Sequence, residues 1–144
     1  PAHVLAGVTA YCPNSLATAE DVGAVQSLLT SFGTTVELEE SQLDAASAIG
    51  GSSPAYVYMF IEALADAGVA EGLKRPQAYQ LAAQGVLGAA KLVLESGKHP
   101  GQLKDEVCSP SGSTIRGLEV LEKGAFRGTV IDALRTTIEK ARAL

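Results

Sequence analysis

Residues 109–114 read Ser-Pro-Ser-Gly-Ser-Thr and run straight into an amphipathic pattern. Ser109, Ser111, Ser113 and Thr114 can all cap a helix, so the plainest reading is a well-capped helix start. A chemical reading stands beside it. The first turn of a helix leaves up to four backbone N–H groups unpaired, and the helix dipole adds about half a positive charge there. A carboxylate or phosphate fits such a mouth. Gly112 lets a ligand approach the backbone without a Cβ in the way, and the Ser113 and Thr114 hydroxyls add groups that donate and accept. The run is not a Walker loop, because Gly-Lys-Ser/Thr is missing.

Other chemistry-bearing residues are sparser. Glu62 and Asp66 sit four apart on one helix face, where two carboxylates could share acid–base work or simply face solvent. Glu39 and Glu40 stand at a strand-to-helix junction, where a carboxylate could meet a cationic group. Gly50 to Pro54, Gly-Gly-Ser-Ser-Pro, is a second serine-rich turn and cap. Cys108 precedes the anion loop, with His99 the only histidine near it in sequence. Cys12 and Cys108 fall in no metal-ligand spacing and have only His3 and His99 for company, so no metal site is expected.

The elements that would position these groups divide in two. Gly7–Cys12 and Thr34–Glu39 read as short strands flanking a helix from Thr18 to Phe32, with Thr18 as cap, Glu20 and Asp21 in the first turn, and Gly33 as the stop. Such a unit cannot close a core alone and reads as the edge of something larger. From residue 41 the pattern becomes helical. Ser41–Ile49 is expected to break at Gly50–Pro54. A helix from Pro54 to about Glu71, apolar almost all round, reads as central and doubly buried. Others are expected from Pro76 to Ser96, Gly101 to Val107, Ser113 to Lys123 and Ala125 to Ala143. The expected architecture is mainly α: a bundle of five or six helices over 41–144, preceded by a strand–helix–strand piece over 1–40. Gly85, Gly88, Ala82 and Ala89 lie on neighbouring turns and admit another helix, from the same subunit or a second one.

Composition bounds the function. The 144 residues are 47% hydrophobic with a net charge of −5, which argues against non-specific nucleic-acid binding. The apolar run from Pro54 to Ala70 is interrupted by Glu62 and Asp66, so no membrane span is expected, and the first residues show no signal-peptide pattern. Reduced thiols and a cytoplasmic setting are the default. Charge is uneven: residues 1–73 hold nine acidic side chains and no Lys or Arg, and residues 74–144 hold seven acidic and all eleven basic ones. The halves of two subunits could meet on that basis, or the later half could receive an anion.

From about Gly7 onward the order and spacing resemble the C-terminal half of pyrroline-5-carboxylate reductase. The resemblance lies in "GGSSPAYVYMFIEALADAGVAEGL", "AAQGVLGAAKLVLESGKHPGQLKDEV" and "SPSGSTIRGLEVLEKGAFR". It implies reduction of 1-pyrroline-5-carboxylate to L-proline with NADPH or NADH, a homodimer of interlocked helical domains, and in some members a ring of dimers. It makes residues 1–40 the last strand–helix–strand of a nucleotide-binding domain and residues 41–144 the dimerisation and substrate domain. The Gly-x-Gly-x-x-Gly dinucleotide fingerprint is not in this sequence. By resemblance, the substrate carboxylate falls on amides around Gly112, Ser113 and Thr114 with help from Ser109, and Thr114 bonds the ring nitrogen as the catalytic residue. Glu40 matches an acidic position near the substrate, and Glu106 a position near the cofactor. The chain departs from the family's usual Ser-Pro-Gly-Gly-x-Thr at Ser111, which would be strained if that position needs positive φ. The alternative is an oligomerisation module without turnover.

Overall fold

The computed structural model describes residues 1–143. Packing separates two compact units: Pro1–Pro54 with the chain from Asp132 onward, and Ala55–Ile131. The expected division at 40/41 is of another kind, since it separates a nucleotide-domain remnant from a helical domain.

In the first unit, β1 (Gly7–Tyr11), α1 (Ala19–Leu29) and β2 (Gly33–Glu37) form a strand–helix–strand unit. The strands pair in parallel, from Gly7 opposite Gly33 to Tyr11 opposite Glu37. Thr18 caps α1 in a reciprocal box: its hydroxyl accepts from the Asp21 N–H, and Asp21 accepts from the Thr18 N–H. The helix ends sooner than its pattern suggests, because Thr30–Phe32 tighten into a 3-10 turn. Gly33 is not a left-handed stop. Its φ of 163° is extended, and it is the first residue of β2. Its reason for being glycine is space, since a Cβ there would run into the Gly7 backbone.

A 3-10 turn (Glu40–Gln42) leads into α2 (Leu43–Ser47). The break expected at Gly50–Pro54 does not occur. Ala48–Ser52 form a π turn that passes directly into α3 (Ser53–Ala70). The Ser53 hydroxyl donates to the Ile49 carbonyl instead of capping a new helix. Pro54 has no N–H to offer, and the wider turn spares the ladder a donor it would otherwise miss. Gly50 lets this turn lie on the sheet, since a Cβ would stand 3.0 Å from Val8 Cγ1.

The second unit holds most of α3, then α4 (Arg75–Ser96), α5 (Pro100–Val107), α6 (Ser113–Lys123) and the start of α7 (Phe126–Arg142). From residue 41 onward the described residues thus form six α-helices, as the bundle reading expects. Gly97, at φ 65°, closes α4 in the left-handed position that glycine favours. Gly68 lets the α3–α4 turn close, with Leu73 Cδ1 only 3.1 Å from where a Cβ would be.

The burial of this unit departs from expectation. Its buried side chains are Ala65, Ala78 and Ala82, all small. The helix expected to be doubly buried instead exposes Tyr58 at 60% and Met59 at 68%. Leu81 and Leu94 on α4 are also open. An open apolar trough of about 550 Å³ runs along α3 and α4, lined by Phe60, Leu64, Leu81, Gly85, Val86 and Val93 among others. Gly85 and Gly88 meet no neighbouring atom where a Cβ would be. Periodicity reported which residues seek cover, and this chain alone does not supply it.

Candidate functional site

The site is built on the α5–α6 connection. Val107 ends α5, and the Cys108 N–H turns back to the Asp105 carbonyl at 3.0 Å. Pro110 follows, and Ser111 stands in the left-handed region at φ 59°. The position therefore does need positive φ, and a serine occupies it at a cost of roughly 1–2 kcal/mol. Gly112 is the N-cap of α6, at φ −70° and ψ 168°, a conformation open to any residue. Its smallness serves the loop itself, because a Cβ there would land on the Ser109 hydroxyl and 3.1 Å from the Ser109 carbonyl. That oxygen also accepts the Gly112 N–H at 3.0 Å.

With that bond made, the turn spends no more of its donors on protein. No side chain caps α6. Among the described residues, no protein acceptor is found for the N–H groups of Ser113, Thr114 and Ile115, or for the hydroxyls of Ser109, Ser111, Ser113 and Thr114. Ser113 and Thr114 are exposed. Free amides, a helix dipole and unengaged hydroxyls make a mouth suited to a small anion.

Nearby cations are already committed. Arg116 holds Glu119 at 3.1 Å, Lys98 holds Glu106 at 2.8 Å, Lys104 bonds Asp105, and Arg127 lies 3.7 Å from Glu122. Hydrogen bonding to Asp105 raises the pKa of Lys104. The amides thus carry the site's positive character, as they do at anion-binding helix ends.

Ser109, Gly112, Ser113 and Thr114 are brought together. Glu106 sits one turn back on α5, its oxygens bonded by Lys98 Nζ at 2.8 and 3.0 Å and by Gln102 Nε2 at 3.0 Å. The Lys98 bond holds the Glu106 carboxyl below its usual pKa. Glu40 belongs to the first unit, exposed at the start of the 3-10 turn. Of Glu62 and Asp66, Asp66 is already bonded by Arg75. Sequence reasoning missed Lys98 and Gln102, which hold Glu106, and the capping role of His99 at the start of α5. The His-Pro dipeptide was the available signal, because a proline at the first helical position makes the residue before it the N-cap.

The pyrroline-5-carboxylate reductase dimerisation model matches residues 40–144. The chain belongs to that family. It is 50% identical over all 144 residues to a pyrroline-5-carboxylate reductase of Escherichia coli (strain K12), covering 54% of that protein. It is 46% identical to pyrroline-5-carboxylate reductase 2 of Homo sapiens, covering 45% of it. The chain therefore spans about half the length of the curated relatives it matches. The crystal structure of a Plasmodium falciparum pyrroline carboxylate reductase with NADP bound superposes with a TM-score of 0.91 at 40% identity, over 99% of this chain and 58% of that one. A reductase from Streptococcus pyogenes superposes at 0.92 with 41% identity, over 99% of this chain and 55% of that one. No described helix is long and apolar enough to cross a membrane.

Proposed function

We propose that the chain is the dimerisation and substrate half of an enzyme that reduces 1-pyrroline-5-carboxylate to L-proline with NADPH or NADH. The observation that carries the reading is the open first turn of α6, with its unspent amides, inside the segment matched to the family. The Ser113 and Thr114 N–H groups receive the substrate carboxylate, with Ser109 beside them and Gly112 leaving room. The Thr114 hydroxyl, without a partner among the described residues, bonds the ring nitrogen and orients its proton. Glu40 supplies an acidic group near the substrate. The first forty residues are the closing strand–helix–strand of a nucleotide-binding domain, and the chain from 41 is the helical domain.

A nicotinamide dinucleotide supplies the hydride when bound. The residues of this chain do not make a cradle for it by themselves. No Gly-x-Gly-x-x-Gly run is present, and the carboxylate of Glu106 is already held by Lys98 and Gln102. We assign the cofactor chiefly to the part of the relatives that this chain does not match, with Glu106 near its edge. A second copy covers the apolar trough of α3 and α4, giving a homodimer, and rings of dimers extend the same reading.

Amide NMR with L-proline tests the site. L-proline should shift Ser113 and Thr114 saturably, and pyrrolidine, which lacks the carboxylate, should leave them still. Equal effects of the two ligands, or none from either, would rule the carboxylate site out. In the protein that joins this chain to a nucleotide-binding domain, Thr114→Ala should lower kcat/KM roughly a hundredfold.

A further inference from the structure

We propose that His99 is a positioning residue for the loop that opens α6, and that protonating its imidazole loosens that loop. The inference rests on the carboxylate-site reading and extends it by naming how the site responds to acid.

His99 is the N-cap of α5, and its Nδ1 accepts the Gly101 N–H at 3.0 Å. Its carbonyl accepts from Gln102 at 2.9 Å and Leu103 at 3.2 Å. Pro100, at the first helical position, has no N–H. One residue thus takes all three backbone donors at the start of an eight-residue helix, a length that does not persist without such help. Gly101 makes room for the ring, since a Cβ there would sit 3.0 Å from Nδ1. The far end of α5 delivers Cys108 and Ser109, so the start of this helix sets where the loop emerges.

Neutral imidazole has a single acceptor nitrogen, and protonation turns both nitrogens into donors. Nδ1–H would then face the Gly101 N–H, with a positive charge added at the positive end of the helix dipole. The junction's carboxylates are already committed: Glu95 on α4 to Lys91, and Asp105 and Glu106 on α5 to Lys104 and Lys98. Among the described residues, none of these three carboxylates is left unpaired to neutralise the new cation. α5 is therefore capped by the neutral ring and uncapped by the protonated one.

Amide NMR and hydrogen exchange of the chain between pH 8 and pH 5 decide the matter. The Gly101 amide shift should follow the His99 ring. Protection at Gly101–Leu103 and at Gly112, corrected for intrinsic exchange, should fall roughly threefold to tenfold in acid. His99→Asn, which keeps a neutral acceptor at the cap, should retain protection and lose the pH dependence. His99→Ala should show the acid level throughout. A Gly112 amide indifferent to pH, or a His99→Asn protein as acid-sensitive as its parent, would overturn the proposal. L-proline affinity should drop with the same midpoint in the parent alone. If L-proline binds at no pH while Gly112 still responds, the carboxylate reading falls and the positioning role stands.

Discussion

Replacing Ser111 with glycine should stabilise the loop. At φ 59° an L-residue pays roughly 1–2 kcal/mol that glycine does not. Glycine loses more backbone freedom on folding, which returns about 0.4–1 kcal/mol to the unfolded chain. Among the described residues no group engages the Ser111 hydroxyl, so its removal forfeits no hydrogen bond there. The net gain is therefore about 0.5–1 kcal/mol. Equilibrium urea denaturation at fixed protein concentration should show a higher midpoint with the slope unchanged. Ser111→Ala serves as the control, because it removes the hydroxyl but keeps the Cβ, and it should be neutral or slightly worse than the parent. If glycine and alanine shift the midpoint equally, the strain account is wrong and the serine acts through its hydroxyl.

Gly112→Ala should destabilise by roughly 1 kcal/mol through crowding on Ser109, and a Ser109→Gly background should relieve part of that cost in a double-mutant cycle. Thr18→Ala should cost about 1 kcal/mol of stability by denaturation. The Thr18 bonds depress the Asp21 pKa, so their contribution is present above the ordinary carboxylate range and lost as the pH falls through the lowered value. Stability of the parent should therefore decline more steeply on the acid side than that of Thr18→Ala. Leu81→Glu places a charge in the trough at a residue that is 63% exposed in the single chain. It should leave helicity intact while weakening self-association about 30-fold or more in sedimentation.

Local signals were legible where they act locally. Ser113 to Lys123 was readable to the residue, because Gly112, the serines and Gly124 punctuate it at both ends. The Thr18 cap was equally plain. Gly50–Pro54 misled for a physical reason: residues that usually end a helix can also furnish a π turn, here one with Gly50 set close to Val8. The amide mouth of α6 could be placed from sequence, but the division of labour within it could not. Ser111 carries the unusual φ, and Gly112 makes room for a neighbouring serine. The His99 cap was hidden because the helix expected from Gly101 starts one residue earlier, at Pro100, which makes His99 the cap.

The alanine-only interior of the second unit has a consequence for handling the protein. Enlarging Ala65, Ala78 or Ala82 leaves no space to expand into, while many of the large residues can be trimmed with little cost to one isolated copy. On the proposed pairing, resistance to heat and urea becomes a property of the solution as much as of the polypeptide. Dilution alone, with no change of temperature or denaturant, should lower the melting point.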